Sequence, residues 1–146
     1  MGYSTLTTSL DVADLTALVS RFDELAVVGC LDAGARVVKL VGDAVLFVSP
    51  HASVALEAAR AVVDSAEQDA LLPSARAGLD FGDVVPLEGD YFGHPVNVAA
   101  RVISIARPGT IVGSSAFSDA LGRFRTSRAL GPHDLKGVGR IEVFEL

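Results

Sequence analysis

Arg36-Val-Val-Lys-Leu-Val-Gly-Asp-Ala-Val-Leu-Phe-Val48 carries the clearest structural pattern in the chain. Two short apolar runs rich in valine flank a Gly42-Asp43 dipeptide, which is the pattern of a β-hairpin with a two-residue turn. Helical patterns lie on both sides of it. Upstream, residues 11–26 place Leu15, Leu18, Val19, Phe22 and Leu25 on one stripe, with Asp11 as the N-cap. Downstream, Ser49 and Pro50 read as the cap and first position of an Ala-rich helix reaching about residue 70.

Shorter elements follow. Strands are expected over 74–80 and 84–87, with a Gly82-Asp83 turn between them, and a loop over 88–95. A helix over 96–106 ends at Pro108-Gly109, and then come a strand at 110–112 and a helix at 114–121. Strands at 126–130 and 141–146 flank a glycine-bearing loop at 134–139. This order predicts an α+β fold, a ferredoxin-like core with a mostly antiparallel sheet and helices on one face. Such a core normally begins with a strand, and here no strand precedes the first helix.

The chain has 146 residues, 50% hydrophobic and 21% charged, enough for one domain with a real core and unlike a disordered chain. A net charge of −6 argues against a broad nucleic-acid or anionic-membrane surface, while leaving room for a local basic pocket. The single cysteine, Cys30, excludes an intramolecular disulfide and a Cys-rich zinc site, and reads as a small core residue. No stretch approaches the ~20 apolar residues of a membrane span. No basic segment followed by an apolar one opens the chain, so a cytoplasmic protein is expected.

Several residues could carry chemistry, and each also has an ordinary reading. Asp43, at the hairpin tip beside a glycine, can approach a metal-bound phosphate, or it can simply be a turn aspartate. Lys39, between Val38 and Leu40, needs a partner or a ligand unless its strand lies at an edge facing solvent. Asn97 and Arg101, four apart, share one helix face that can meet an anion or only water. Asp90 and Lys136 sit in glycine-bearing segments, as site residues or as solvated charges. His51, His94 and His133 have no metal-ligand spacing, so no zinc site is expected.

In order, five blocks strongly resemble the class III nucleotidyl cyclase catalytic domain. They are Val38-Lys-Leu-Val-Gly-Asp-Ala-Val-Leu-Phe47, Arg76-Ala-Gly-Leu-Asp-Phe-Gly-Asp-Val-Val85, Gly89-Asp-Tyr-Phe-Gly-His-Pro-Val-Asn-Val-Ala-Ala-Arg101, Arg107-Pro-Gly-Thr-Ile-Val-Gly-Ser114 and Leu135-Lys-Gly-Val-Gly139. The short segment between Val84 and Asp90 is similar to the bacterial subclass with an abbreviated dimerisation arm. The resemblance implies an adenylate cyclase that pairs as a head-to-tail homodimer with active sites shared across the interface. Asp43 then matches the second of two aspartates holding two divalent metals, Mg²⁺ or Mn²⁺. Lys39 and Asp90 match the adenine-reading pair, Asn97 and Arg101 the transition-state pair, and Lys136 a triphosphate contact.

The chemistry of those roles follows from the groups themselves. Adenine presents an amino donor at position 6 and an acceptor at N1, which a carboxylate and an ammonium can meet. Guanine presents the opposite pattern, so such a site favours ATP by roughly 10⁴-fold in favourable cases. A fixed guanidinium can meet charge growing on the α-phosphorane, and an asparagine can orient the ribose. The chain departs from the family pattern at its start. The family's first strand and first metal-binding aspartate, three residues before Gly2, fall upstream of Met1. The expectation is therefore one cyclase homology domain over 1–146 whose first strand belongs to a longer protein. The alternative is a truncated, inactive nucleotide-binding or dimerisation module.

Overall fold

The structure, a computed structural model, describes residues 11–122 and 127–146. Its elements are α1 (Val12–Asp32), β1 (Arg36–Val41), β2 (Ala44–Val48), α2 (Ala52–Gln68), β3 (Ala77–Leu79), β4 (Val85–Leu87), β5 (Asp90–Phe92), α3 (His94–Val102), β6 (Ile111–Ser114), α4 (Ser115–Leu121), β7 (Arg128–Leu135) and β8 (Gly139–Glu145). The α+β class is borne out. The expected strand start at Thr126 and the Met1-Gly2-Tyr3 segment lie outside the described residues.

The first hairpin and the first two helices form one packed unit. Asp11 Oδ1 accepts from Asp14 N at 2.8 Å, capping α1 as its sequence predicts. Ala26 and Cys30 of α1 bury against Ala58 and Val62 of α2, with Val37, Val45 and Phe47 of the hairpin packed beneath. Burial pushes the Cys30 thiol up to about 11, so it is protonated and inert at neutral pH. Helix α2 begins at Ala52, two residues later than Pro50, because His51 is the cap residue and Ser49 Oγ accepts from His51 N.

The second unit is a four-stranded sheet in the order β3-β6-β8-β7, antiparallel except for the parallel β3–β6 pair. Its helices cover both faces, not one. Ile111 packs with Leu56, Val63, Leu79 and Phe117 on the α2 and α4 side, whereas Val112 packs with Val98, Val102 and Val143 under α3. Alternate residues of one strand thus bury in opposite directions, and all four residues of β6 are buried. Ser114 ends the strand: its hydroxyl donates to Asp80 Oδ1 and accepts from Phe117 N, capping α4.

Two hairpins form where the sequence predicts loops. In the segment 88–95, β5 pairs with β4 through a two-residue turn in which Glu88 (φ 51°) and Gly89 (φ 80°) both adopt left-handed backbone. Such a turn usually begins with Asn, Asp or Gly, so Glu88 hid it. The loop 134–139 is the turn joining β7 to β8, which pair from Leu135↔Gly139 to Arg128↔Glu145. At the far end of that hairpin Glu145 accepts from Arg107 and Arg128, each at 3.0 Å, and these two guanidinium groups hold its carboxyl below the ordinary range.

A seam runs between the first hairpin and the four-stranded sheet, and α2 packs on both sides of it. Among the described residues β2 pairs only with β1, and β3 pairs only with β6. Cavities of about 340 Å³ and about 570 Å³ lie between β2 and β3, sharing Val45, Phe47 and Gly78 as walls. The first touches Asp43–Val45 and Ser74–Ala77, and the second touches Val48 and Leu79–Asp80, so the two strands run in the same direction along the seam.

Helix α3 seats directly on β3 at Gly78. A Cβ there would lie 2.6 Å from Ile103 N and 2.7 Å from Ala99 O, both backbone atoms that cannot swing aside. Gly78→Ala should therefore lower stability by about 1–3 kcal/mol through overpacking. Urea unfolding checks this, and an unchanged midpoint would contradict the close seating.

Candidate active site

A bulge in the first hairpin sets the direction of Lys39. The ladder pairs Val37 with Phe47 and then Lys39 with Leu46, leaving Val38 without an opposite residue. Strict alternation would put Lys39 on the same face as Val37, which packs into the core with Val45 and Phe47. The bulge changes the phase, and Lys39 falls on the Leu46 side, away from α1 and α2. The partner that an apolar strand demands of a lysine is Asp90: Lys39 Nζ donates to Asp90 Oδ2 at 2.5 Å.

Asp90 is the first residue of β5, not a loop residue as its sequence reads. Its Oδ1 accepts from Tyr91 N at 2.8 Å, so both carboxylate oxygens are engaged. The Lys39 ammonium, and then the Tyr91 amide, hold the Asp90 carboxyl below the ordinary aspartate range. The side chains stay 46% and 30% exposed. Exposed pairs add little to stability, so the value of this one is positional.

Helix α3 starts immediately after β5, with Gly93 between them at φ 146°. Val98 and Val102 bury its inner face against Val112, Val143 and Leu135. Asn97 and Arg101 lie exposed on its outer side, as the i, i+4 spacing predicts. Neither side chain has a hydrogen bond or ion pair among the described residues. Lys136 lies exposed in the β7–β8 turn, whose flanking Leu135 and Val138 pack into the cluster under α3. One packed unit therefore carries Asn97, Arg101 and Lys136, and the Lys39–Asp90 pair joins it to the first hairpin.

Asp43 stands apart from that group. It is exposed in the β1–β2 turn, follows Gly42 (φ 61°) and lines the smaller seam cavity with Ser74, Arg76 and Ile103. Arg76 itself is anchored, donating to Ala106 O at 3.1 Å. Among the described residues no group of three or more His, Cys, Asp or Glu is clustered closely enough to hold a metal. Asp43 fits a single carboxylate ligand for a hard, oxygen-seeking divalent cation whose other ligands come largely from phosphates and water. No helix among the described residues is long and apolar enough to cross a membrane.

The pair sets a pH response. A carboxyl depressed in the fold adds stability above its ordinary pKa and loses it as pH falls through the folded value. Asp90 should thus titrate below 3.8 by carboxyl NMR and return toward that value in Lys39→Met. A midpoint unmoved by the substitution would contradict the ion pair.

No family model matches the chain. An uncharacterized protein of Mycobacterium tuberculosis (strain H37Rv) is 40% identical over 147 residues, covering 99% of this chain and 38% of the relative. An adenylate cyclase of Streptomyces coelicolor is 34% identical over 129 residues, covering 88% of this chain and 34% of that protein. The chain thus spans little more than a third of the length of these relatives. The crystal structure of an adenylate/guanylate cyclase/hydrolase from Silicibacter pomeroyi superposes with a TM-score of 0.77 and 30% identity, covering 99% of this chain and 89% of that one. With that identity across most of a solved family member, the chain belongs to the class III adenylate/guanylate cyclase family.

Proposed function

We propose that this chain is the catalytic domain of an adenylate cyclase, converting ATP to 3′,5′-cyclic AMP and pyrophosphate. The observation that carries the choice of ATP is the Lys39–Asp90 pair. Asp90 offers acceptor lone pairs to the adenine amino group, and Lys39 offers its remaining N–H donors to N1. Guanine would face both with the wrong polarity. Relatives named adenylate cyclase in Streptomyces coelicolor and Streptomyces griseus support the same reading.

The ribose 3′-hydroxyl attacks the α-phosphorus and the α–β bridging oxygen leaves with pyrophosphate. Asn97 orients the ribose for in-line attack. Arg101 meets the negative charge that grows on the phosphorane oxygens, and Lys136 binds the triphosphate. Asp43 holds divalent metal, Mg²⁺ or Mn²⁺, which when bound neutralises the triphosphate and acidifies the 3′-hydroxyl. We assign each site to two copies of the chain, one giving Asp43 and the other giving Lys39, Asp90, Asn97, Arg101 and Lys136; Asp43 lines the smaller seam cavity and none of the other five does, which supports the assignment.

A second reading, nucleotide binding or dimerisation without turnover, is favoured by the finding that no group of three or more His, Cys, Asp or Glu that could hold a metal lies among the described residues.

The test is product formation from Mn²⁺-ATP and Mn²⁺-GTP. Cyclic AMP should form, with ATP strongly preferred. Asp43→Ala should cut turnover on the order of a hundredfold or more and, lying in an exposed turn, change stability by no more than about 0.5 kcal/mol. Nucleotide binding with no cyclic product would favour the second reading.

A further inference from the structure

We propose that His94 is a further substrate-binding residue, contacting the ribose 2′-hydroxyl of the nucleotide. The inference rests on the cyclase reading and adds a contact to the same site. His94 opens α3, three residues before Asn97 and seven before Arg101. At 100° per residue, seven residues bring His94 to within about 20° of Arg101 around the helix, about 10.5 Å away along its axis. Asn97 lies about 4.5 Å along the axis from His94, on the same outer side. All three residues are exposed.

The His94 imidazole has no hydrogen bond or ion pair among the described residues. It shares that with Asn97 and Arg101. By contrast Ser104, in the turn that follows α3, spends its hydroxyl on Arg101 O at 2.7 Å. The free polar groups therefore stop at Arg101 on one side and continue to His94 on the other.

The position of His94 on the continuous β5–α3 segment points to the nucleoside part of the nucleotide. Asp90, four residues before it, pairs with Lys39 and offers the base-reading groups. Asn97, one turn after it, is the ribose-orienting residue, and Arg101 is the phosphate residue. His94 lies between the base reader and the ribose reader, against the nucleoside and away from the triphosphate. Of the ribose hydroxyls, the 3′ group is committed to the attack. The 2′-hydroxyl is the neighbouring group that both donates and accepts, as a neutral imidazole does.

The test uses ATP carrying a methylene in place of the α–β bridging oxygen, which binds but cannot be cyclised, and its 2′-deoxy form. Binding of both is titrated against the wild-type chain, His94→Ala and His94→Asn. His94→Ala should weaken the ribonucleotide analogue about tenfold, and His94→Asn, which keeps a donor and an acceptor, by less than threefold. Both variants should bind the 2′-deoxy form within twofold of wild type. In parallel assays of ATP turnover, KM should rise in His94→Ala while kcat stays within threefold. Equal weakening of both analogues, or none, would overturn the assignment. If Asn97→Ala and Arg101→Ala lose turnover while His94→Ala binds like wild type, only the His94 contact fails. Wild-type chain that binds neither analogue would overturn the cyclase reading along with it.

Discussion

At Gly78 the backbone of β3 meets the backbone of α3 with no room for a single methyl group. The rest of the site depends on that contact. It fixes the depth at which α3 lies on the four-stranded sheet, and Val98 and Val102 then lock its rotation against Val112, Val143 and Leu135. With depth and rotation set, Asn97 and Arg101 can point only outward. The β7–β8 turn that carries Lys136 is tied to the same helix through Leu135 and Val138. A rigid helix, packed on a buried strand, places its polar groups more precisely than a loop can.

The second constraint is electrostatic. Lys39 and Asp90 come from strands that are not hydrogen-bonded neighbours, and each would otherwise face the solvent alone. Their pairing, with the Tyr91 amide on the other carboxylate oxygen, orients both charges before any ligand arrives. A half-exposed pair contributes little to folding, so its cost in side-chain entropy makes sense as preorganisation for binding. The lysine reaches its partner only because the bulge at Val38 changes the phase of β1.

Much of this was legible in the sequence. The Gly42-Asp43 hairpin, the Asp11 cap and the Asn97/Arg101 face follow from local rules: turn dipeptides, cap chemistry and helical spacing. Lys39 announced itself as a charge in an apolar run, and its need for a partner was sound, although only the fold shows Asp90 answering it. Other features depend on contacts between distant segments. The Glu88-Gly89 turn lacks the usual first residue, so β5 and the strand placement of Asp90 were hidden. That β6 is buried on both faces cannot be read from Ile111-Val-Gly-Ser114 alone, because a short apolar run does not say how many helices cover it. His94 carried no signal as a metal ligand, and its place on the α3 stripe emerged only once the start of the helix was known.

If the preformed Lys39–Asp90 pair reads an adenine edge beside α3, as proposed, a crystal structure with Mn²⁺ and the non-cyclisable α,β-methylene analogue of ATP will show the adenine amino group within hydrogen-bond distance of Asp90, N1 within reach of Lys39 Nζ, and Asp43 of a second copy at the phosphates. Adenine bound elsewhere, with the Lys39–Asp90 pair facing only solvent, would contradict it.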